Sequence, residues 1–251
     1  MARRDRSSSG RPEAGRRPSL PVLYGRNPVR EALRGRRRVR RVWATAAVGR
    51  EPWLRGVEVE RAETAELTER CGSPDHQGVC AQVDPYPYAD AAQLVAAPKA
   101  LVVVLDEVQD PQNLGAVCRA AECAGATGVV VPERRAADVT PAVAKASAGA
   151  VEHVPVARVR NLADFLADAK AAGCWCYGAA SSGVVAYDAP DYAGGVVVVL
   201  GSEGRGLRPR VAAACDALIA LPLRGKVESL NVGATAAVIL YEILQSRGEN
   251  G

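Results

Sequence analysis

The chain has 251 residues, of which 48% are hydrophobic and 4% aromatic, a composition that suffices for a packed core and suits a small domain joined to a medium one. Its formal net charge is +4, but residues 1–41 contain 14 Arg against Asp5, Glu13 and Glu31, so the positive charge is concentrated at one end. No apolar run has the length of a membrane span or of a secretory signal, so we expect a cytoplasmic protein with no membrane partner.

The arginine-rich start predicts a nucleic-acid partner, because Arg neutralises phosphates and releases their counterions. Residues 1–20 combine Arg with Ser, Gly and Pro and have almost nothing to bury, which predicts a disordered basic tail. A merely solvated tail would have the same composition. Six arginines near ordered structure are candidates for RNA contact: Arg34, Arg36, Arg37, Arg38, Arg40 and Arg41.

The seven Cys and two His offer little scope for a metal site. The odd number of Cys and the absence of a C-x-x-C motif argue against a disulfide framework or a zinc knuckle, and they agree with a reducing compartment. We predict that His76 lies in a loop and His153 at a strand edge. We therefore predict no metal.

Residues 21–88 predict a small α/β domain. A turn leads into a short helix at 23–33, and a period near 3.6 predicts a second helix at 64–71. We predict strands at 39–44, 57–59 and 78–83. Prolines and tyrosines break the pattern at 84–88, so residues 89–98 are predicted to form a linker.

Residues 99–247 predict a larger α/β domain. Its apolar segments lack alternation, and such strands are buried on both faces, which indicates a mainly parallel sheet covered by helices. We predict strands at 101–105, 128–131, 154–156, 174–179, 196–200 and 217–221. Ligands of such sheets bind beyond the carboxyl ends of the strands, where three distinctive loops begin.

Two of these loops bear glycines: residues 200–207 read LGSEGRGL, and residues 221–232 read LPLRGKVESLNV. The spacing from Gly201 to Gly206 is G-x-x-G-x-G, which matches neither the P-loop nor the dinucleotide fingerprint. Because glycine lets backbone groups approach a ligand closely, the two loops suit a flat nucleoside-like cofactor better than a phosphate. Ordinary strand-to-helix turns are the alternative.

The remaining loop runs from 106 to 119 and reads DEVQDPQNLGAVCR. This stretch, the loop at 200–207 and the segment from Leu221 to Tyr241 occur in this order and resemble the SpoU/TrmH branch of the SPOUT methyltransferases, which transfer a methyl group from S-adenosylmethionine to a ribose 2′-hydroxyl in RNA. The resemblance implies that S-adenosylmethionine is the cofactor, that residues 21–88 bind substrate RNA, and that the chain pairs as a homodimer. It also implies a deep trefoil knot at the carboxyl end, an exception to the rule against threaded loops.

The family pattern also implies the site residues. It places Asn113 and Arg119 in the catalytic centre, to which we assign Glu203, Ser229 and Asn231 as well. Cofactor contacts are expected at Leu200, Gly201, Ile219, Leu221 and Leu230.

Each polar candidate also has a structural alternative. Asn113 suits a helix N-cap, beside a surface Arg119. Glu203 suits the first turn of a helix, and Ser229 with Asn231 suits a capping pair before a helix at 232–245.

Arg119 is a poor candidate for a general base, because a guanidinium stays protonated in proteins. We predict instead that Arg119 binds the target phosphate or stabilises the forming alkoxide. Glu203 would orient Arg119 or accept a hydrogen bond from the ribose. Ser229 and Asn231 would position the 2′-hydroxyl or cofactor groups.

Within this branch the chain most resembles the RlmB-like enzymes, which modify a guanosine of 23S rRNA, so the leading hypothesis is a ribose 2′-O-methyltransferase with that substrate. Alternative substrates are tRNA and an rRNA site that confers antibiotic resistance. A non-catalytic RNA-binding or assembly factor is the alternative from another class. The dimer seam is expected along the last helix, whose apolar stripe would otherwise be plain core: Ala236, Ala237, Leu240, Tyr241 and Leu244.

Overall fold

The computed structural model describes residues 20–248 and contains two β-sheets. The predicted basic tail lies outside the described residues apart from Leu20. No helix within 20–248 is long and apolar enough to cross a membrane.

The first sheet has four strands in the order β1-β4-β2-β3. The strands are β1 (Val22–Tyr24), β2 (Val39–Ala44), β3 (Glu60–Arg61) and β4 (Val79–Val83). The two helices of this unit are α1 (Arg26–Arg34) and α2 (Thr64–Cys71). A capping box between Glu63 and Glu66 starts α2, and Gly72 ends it in the left-handed conformation, which explains why its predicted bounds are correct.

The predicted strand at 57–59 is wrong, because β3 comes one residue later. A short 3₁₀ turn at Pro52–Leu54 precedes this segment, and Val57 N–H still bonds back to the Leu54 carbonyl at 3.0 Å. The chain therefore reaches the edge of β2 only at Glu60, which pairs with Trp43.

The second sheet has seven strands, all paired in parallel, in the order β7-β6-β5-β10-β8-β11-β9. The strands are β5 (Leu101–Asp106), β6 (Gly128–Pro132), β7 (Val156–Val159), β8 (Cys174–Ala179), β9 (Val185–Ala186), β10 (Gly195–Gly201) and β11 (Ala217–Ala220). The α/β class and the parallel sheet are thus confirmed. Every residue of β5 is buried, as the unbroken apolar pattern predicts.

Helices cover both faces of this sheet. They are α3 (Ala91–Val95), α4 (Pro111–Cys123), α5 (Pro141–Ala146), α6 (Leu162–Ala171), α7 (Pro209–Ala214) and α8 (Val232–Ser246). One core joins α4, α5 and α8 to the first sheet, and a second core lies under α6 and α7. The face that carries α4 and α8 is therefore the face against which the smaller unit packs.

The strand predicted at 154–156 is present but displaced, because β7 begins only at Val156 and runs to Val159. A 3₁₀ turn at Ala150–Glu152 occupies the preceding residues, and Pro155 has no N–H to donate to a neighbouring strand. His153 follows this turn instead of lying at a strand edge, and its Nε2 is 3.0 Å from Glu31 Oε2. His76 lies in a turn, as predicted, but it is buried and bonded to Thr68 and Gly78.

A buried ion pair joins the two sheet units. Arg37 is 4% exposed and Glu152 is 1% exposed, and Arg37 donates to both carboxylate oxygens, with 2.8 Å between Nε and Oε2. Arg37 therefore cannot contact RNA as predicted, because its donors face Glu152 in the interior. Tyr86 adds a second link, since its hydroxyl accepts from Val156 N–H at 3.2 Å and lies 3.1 Å from the Val151 carbonyl.

Candidate active site

The site begins where β5 and β10 end side by side, with Gly201 opposite Asp106 in the register. The chain then turns tightly, and Gly206 N–H bonds to the Ser202 carbonyl at 2.9 Å. Gly204 and Gly206 adopt positive φ values of 79° and 65°, which favour glycine. A Cβ on Gly201 would lie 2.2 Å from the carbonyl carbon of Gly206, so only glycine lets the two ends of the turn approach this closely.

The second loop, residues 221–230, leads from β11 to α8. Its backbone forms no hydrogen bond with any other residue in the described part of the chain. Most of the loop is exposed, including Val227 at 74% and Leu230 at 45%. Its N–H and C=O groups are therefore available to a ligand or a partner chain.

Both loops line one cavity of about 260 Å³ at the carboxyl edge of the sheet. The five residues predicted to contact the cofactor all line this cavity: Leu200, Gly201, Ile219, Leu221 and Leu230. Glu203 and Ser229 line it as well. The cavity thus combines apolar side chains with exposed loop backbone, the lining expected for a small-molecule site.

Three of the predicted polar residues meet beside this cavity. Asn231 Nδ2 donates to Glu203 Oε1 at 2.7 Å and to Asn113 Oδ1 at 2.9 Å. Asn113 Nδ2 donates to the same Glu203 oxygen at 3.2 Å. Residues from all three motif stretches therefore form one hydrogen-bonded cluster.

The helix starts explain part of this arrangement. Asp110 is the N-cap of α4 and accepts from Gln112 N–H at 3.0 Å, so the capping interpretation of Asn113 is wrong. Asn231 does cap α8, because its Oδ1 accepts from Gly233 N–H at 2.8 Å. Its Nδ2 remains to bond Asn113 and Glu203, so the capping and site interpretations of Asn231 are compatible.

Arg119 and Ser229 lie apart from this cluster. Arg119 is exposed on α4, and its side chain makes no hydrogen bond or ion pair with any residue between 20 and 248. The expected contact between Glu203 and Arg119 is absent from the described residues, because Glu203 bonds the two asparagines instead. Ser229 is exposed and does not cap α8.

Burial excludes Cys118 as a reactive thiol. Cys118 precedes Arg119 on α4 and is fully buried, and this burial raises the pKa of its thiol to about 12. The thiol therefore stays protonated near neutral pH and cannot serve as a nucleophile. Within residues 20–248, no three His, Cys, Asp or Glu side chains form a group that could hold a metal ion.

One wall of the cavity was not predicted from the sequence. Residues 179–181, at the end of β8, line it together with Leu223, Glu228 and Thr235. The sequence Ala179-Ala180-Ser181 carries no motif. The only signal was its position, since β8 ends at the same edge of the parallel sheet as β10.

Comparisons with known proteins agree with this geometry. The model of the SpoU rRNA methylase family matches residues 100–241, and the model for RNA 2′-O ribose methyltransferase substrate binding matches residues 22–89. An uncharacterized tRNA/rRNA methyltransferase of Synechocystis is 38% identical over 92% of this chain, and the match covers 64% of that protein's own length. A Bacillus subtilis protein named for the TrmH family of tRNA/rRNA methyltransferases is 36% identical over 91% of this chain and 97% of that protein.

Among solved structures, the SpoU methyltransferase AviRb of Streptomyces viridochromogenes, in complex with AdoMet, has a TM-score of 0.75 and 26% identity. The match covers 92% of this chain and 91% of that one. These matches define the class of protein as RNA methyltransferases. Within that class, the chain belongs to the SpoU/TrmH family, whose methyl donor is S-adenosylmethionine.

The residues present fit this donor. The apolar side chains of Leu200, Ile219 and Leu221 can face the two sides of an adenine ring, while the unpaired backbone of 221–230 can bond its edge. A Cβ added to Gly204 or Gly206 would meet no atom within 4 Å, so the space beside their backbone is open to a ligand.

Proposed function

We propose that this protein is an RNA ribose 2′-O-methyltransferase that modifies a guanosine of 23S rRNA. The observation that carries the methyl-transfer part of the proposal is the cluster of Asn113, Glu203 and Asn231 beside a cavity suited to S-adenosylmethionine. The choice of a 23S rRNA guanosine rests on the resemblance of the sequence to enzymes with that substrate. We further propose that the carboxyl-terminal part of the chain is knotted, in keeping with its family, and that the protein works in the cytoplasm.

When bound, S-adenosylmethionine supplies an electrophilic methyl group on its sulfonium. The task of the protein is to hold the ribose hydroxyl in line with that group and to accept its proton. Glu203 suits this task, because Oε1 receives both asparagine amides while Oε2 has no partner among the described residues. We assign Oε2 to accept a hydrogen bond from the 2′-hydroxyl, with Ser229 at the cavity wall positioning the cofactor or the ribose.

Arg119 has a different role in this proposal. Its exposed guanidinium can bind the phosphate beside the target ribose or stabilise the forming alkoxide with its fixed fork of donors. Arg119→Lys keeps the charge and loses the fork, so we expect turnover to fall about 10-fold in a steady-state methyl-transfer assay. Arg210→Lys, an exposed change on α7, is the matched control. Undiminished turnover of the Arg119 variant would contradict the role of the fork.

We also propose a homodimer that forms along α8. In the described structure Ala236 and Leu240 of the predicted stripe are core residues, but Val238 and Tyr241 expose 40% and 51% of their surface on one side of the helix. We expect light scattering to give the mass of a dimer at micromolar concentration and Val238→Lys to give the mass of a monomer. Ala167→Lys, on α6 across the sheet, should remain dimeric. A wild-type monomer would contradict this part of the proposal.

The substrate is tested in two parallel reactions. Each contains the protein and methyl-labelled S-adenosylmethionine, and one contains 23S rRNA while the other contains tRNA. We expect label in 23S rRNA at one guanosine whose 3′ phosphodiester resists alkaline cleavage, because a 2′-O-methyl group blocks that reaction. Label in tRNA would favour the alternative substrate. An alkali-sensitive methylated nucleotide would contradict ribose methylation, and absence of S-adenosylmethionine binding in calorimetry would leave only the RNA-binding factor.

A further inference from the structure

Asp106 is a buried charge that the proposed chemistry does not use. It is the last residue of β5, and none of its surface is exposed. Its carboxylate accepts two hydrogen bonds from one residue, at 2.8 Å from the backbone N–H of Arg208 and at 2.7 Å from Nε of the same arginine. A buried carboxylate destabilises the fold unless it is paired in this way.

Arg208 lies at the far end of the loop that carries Glu203. Arg208 follows the turn formed by residues 201–206 and immediately precedes α7. Gly201, where the turn begins, lies opposite Asp106 in the neighbouring strand. Asp106 therefore holds the far end of the loop beside the strand from which the loop starts, and Glu203 lies within the closed segment.

A second ion pair supports the first. The carboxylate of Glu107 lies 3.9 Å from Arg208 Nη1 and 3.1 Å from Arg135 Nη1, so these groups connect the loops that follow β5, β6 and β10. Glu107 has a φ of 59°, a left-handed conformation that a residue with a side chain adopts at a cost. The contacts of Glu107 with Arg208 and Arg135 help to hold this backbone conformation.

We propose that Asp106 is a positioning residue, which holds the loop of residues 201–208 so that Glu203 stays bonded to Asn113 and Asn231 beside the cofactor cavity. The inference rests on the proposed function of that cavity. Without the bonds from Arg208, the loop beyond Gly201 keeps its own short turn, the packing of Leu207 against the second core and the bonds of Glu203 to the two asparagines, but loses the charged restraint at its far end. Glu203 can then leave the two asparagines, and the cavity wall formed by the loop shifts with it.

Asp106→Asn tests the proposal, because the amide oxygen can still accept from the Arg208 N–H while the charge that holds the guanidinium is lost. We expect the dissociation constant for S-adenosylmethionine to rise and kcat to fall, each by about 10-fold or more. The matched control is Asp216→Asn at the opposite end of the sheet. Asp216 likewise accepts from a backbone N–H, that of Cys176 at 2.8 Å, and lies 3.5 Å from Lys170 Nζ. Both constants should stay within about threefold in the control.

A protease readout is independent of catalysis. Trypsin cleaves after Arg205, which is exposed, but not at Arg208, because Pro209 follows. We expect the bond between Arg205 and Gly206 to be cut about 10-fold faster in Asp106→Asn than in wild type and at the wild-type rate in Asp216→Asn, as followed by mass spectrometry. If wild type transfers no methyl group to any RNA, the proposed function fails, but this rate still tests the restraint on the loop.

Two more variants keep the test decisive if Asp106→Asn folds poorly. Arg208→Gln, at a half-exposed position, should reproduce the faster cleavage and the weaker cofactor binding. Arg208→Lys should have a cleavage rate and a cofactor affinity between those of wild type and Arg208→Gln, because a lysine can still reach the buried carboxylate. Unchanged cleavage and cofactor affinity in Asp106→Asn or Arg208→Gln, or equal effects in Asp216→Asn, would overturn the proposal.

Discussion

Replacing Glu203 by Gln is expected to lower kcat for methyl transfer about 10³-fold while leaving S-adenosylmethionine bound. The Gln side chain keeps an oxygen that can accept from Asn113 and Asn231, so the cluster beside the cavity is retained. The second carboxylate oxygen becomes an NH₂ group, which donates where the proposal requires an acceptor for the ribose hydroxyl. Single-turnover kinetics with saturating RNA would measure the chemical step directly.

Glu69→Gln provides the control for this change, because Glu69 is exposed on α2, in the smaller unit. Cofactor affinity measured by calorimetry should be within about threefold of wild type for both variants. A kcat for Glu203→Gln that stays within threefold of wild type would exclude Glu203 as the proton acceptor. A parallel loss of cofactor affinity would instead assign it a role in binding.

Gly201→Ala is expected to abolish tight cofactor binding and to destabilise the fold by about 1–3 kcal/mol. The added Cβ would lie 2.2 Å from the carbonyl carbon and 2.3 Å from the carbonyl oxygen of Gly206, and 2.6 Å from Leu207 N. These are backbone atoms of the same tight turn, so the turn must open. Because residues of the turn line the cavity, its wall is displaced as well. Denaturant unfolding gives the change in free energy, and calorimetry gives the affinity.

Gly225→Ala is the matched control in the other loop. A Cβ on Gly225 would meet no atom within 4 Å, and Gly225 is not among the residues that line the cavity. We expect unfolding free energy and cofactor affinity close to wild type for this variant. Equal behaviour of the two alanine variants would show that the close approach of Gly201 to Gly206 has no bearing on the site.

The architecture of the larger unit could be predicted because its strands are unbroken apolar segments, which form only where both faces are covered. The convergence of the three loops followed from the same parallel arrangement. The strand order could not be predicted, since nothing in the sequence places β10 between β5 and β8. The contact of Gly201 with the end of β5 is therefore visible only in the structure.

Two local patterns admit more than one physical explanation. Asn113 was a good capping residue by type, but Asp110 followed by Pro111 is the better helix start, and the aspartate takes that role. Arg37 belonged to a run of arginines that indicated RNA contact. Its burial depends on Glu152, which is 115 positions away in the chain, and no local pattern could reveal that partner.

The pairing of Arg37 with Glu152 also bears on how an RNA can be accommodated. Turning one sheet unit against the other would separate two charges in the interior and break a continuous apolar core, at a cost of several kcal/mol. The two sheet units therefore form one stiff frame. We therefore expect the RNA, rather than the two packed units, to change shape when its 2′-hydroxyl is brought to the carboxyl edge of the sheet.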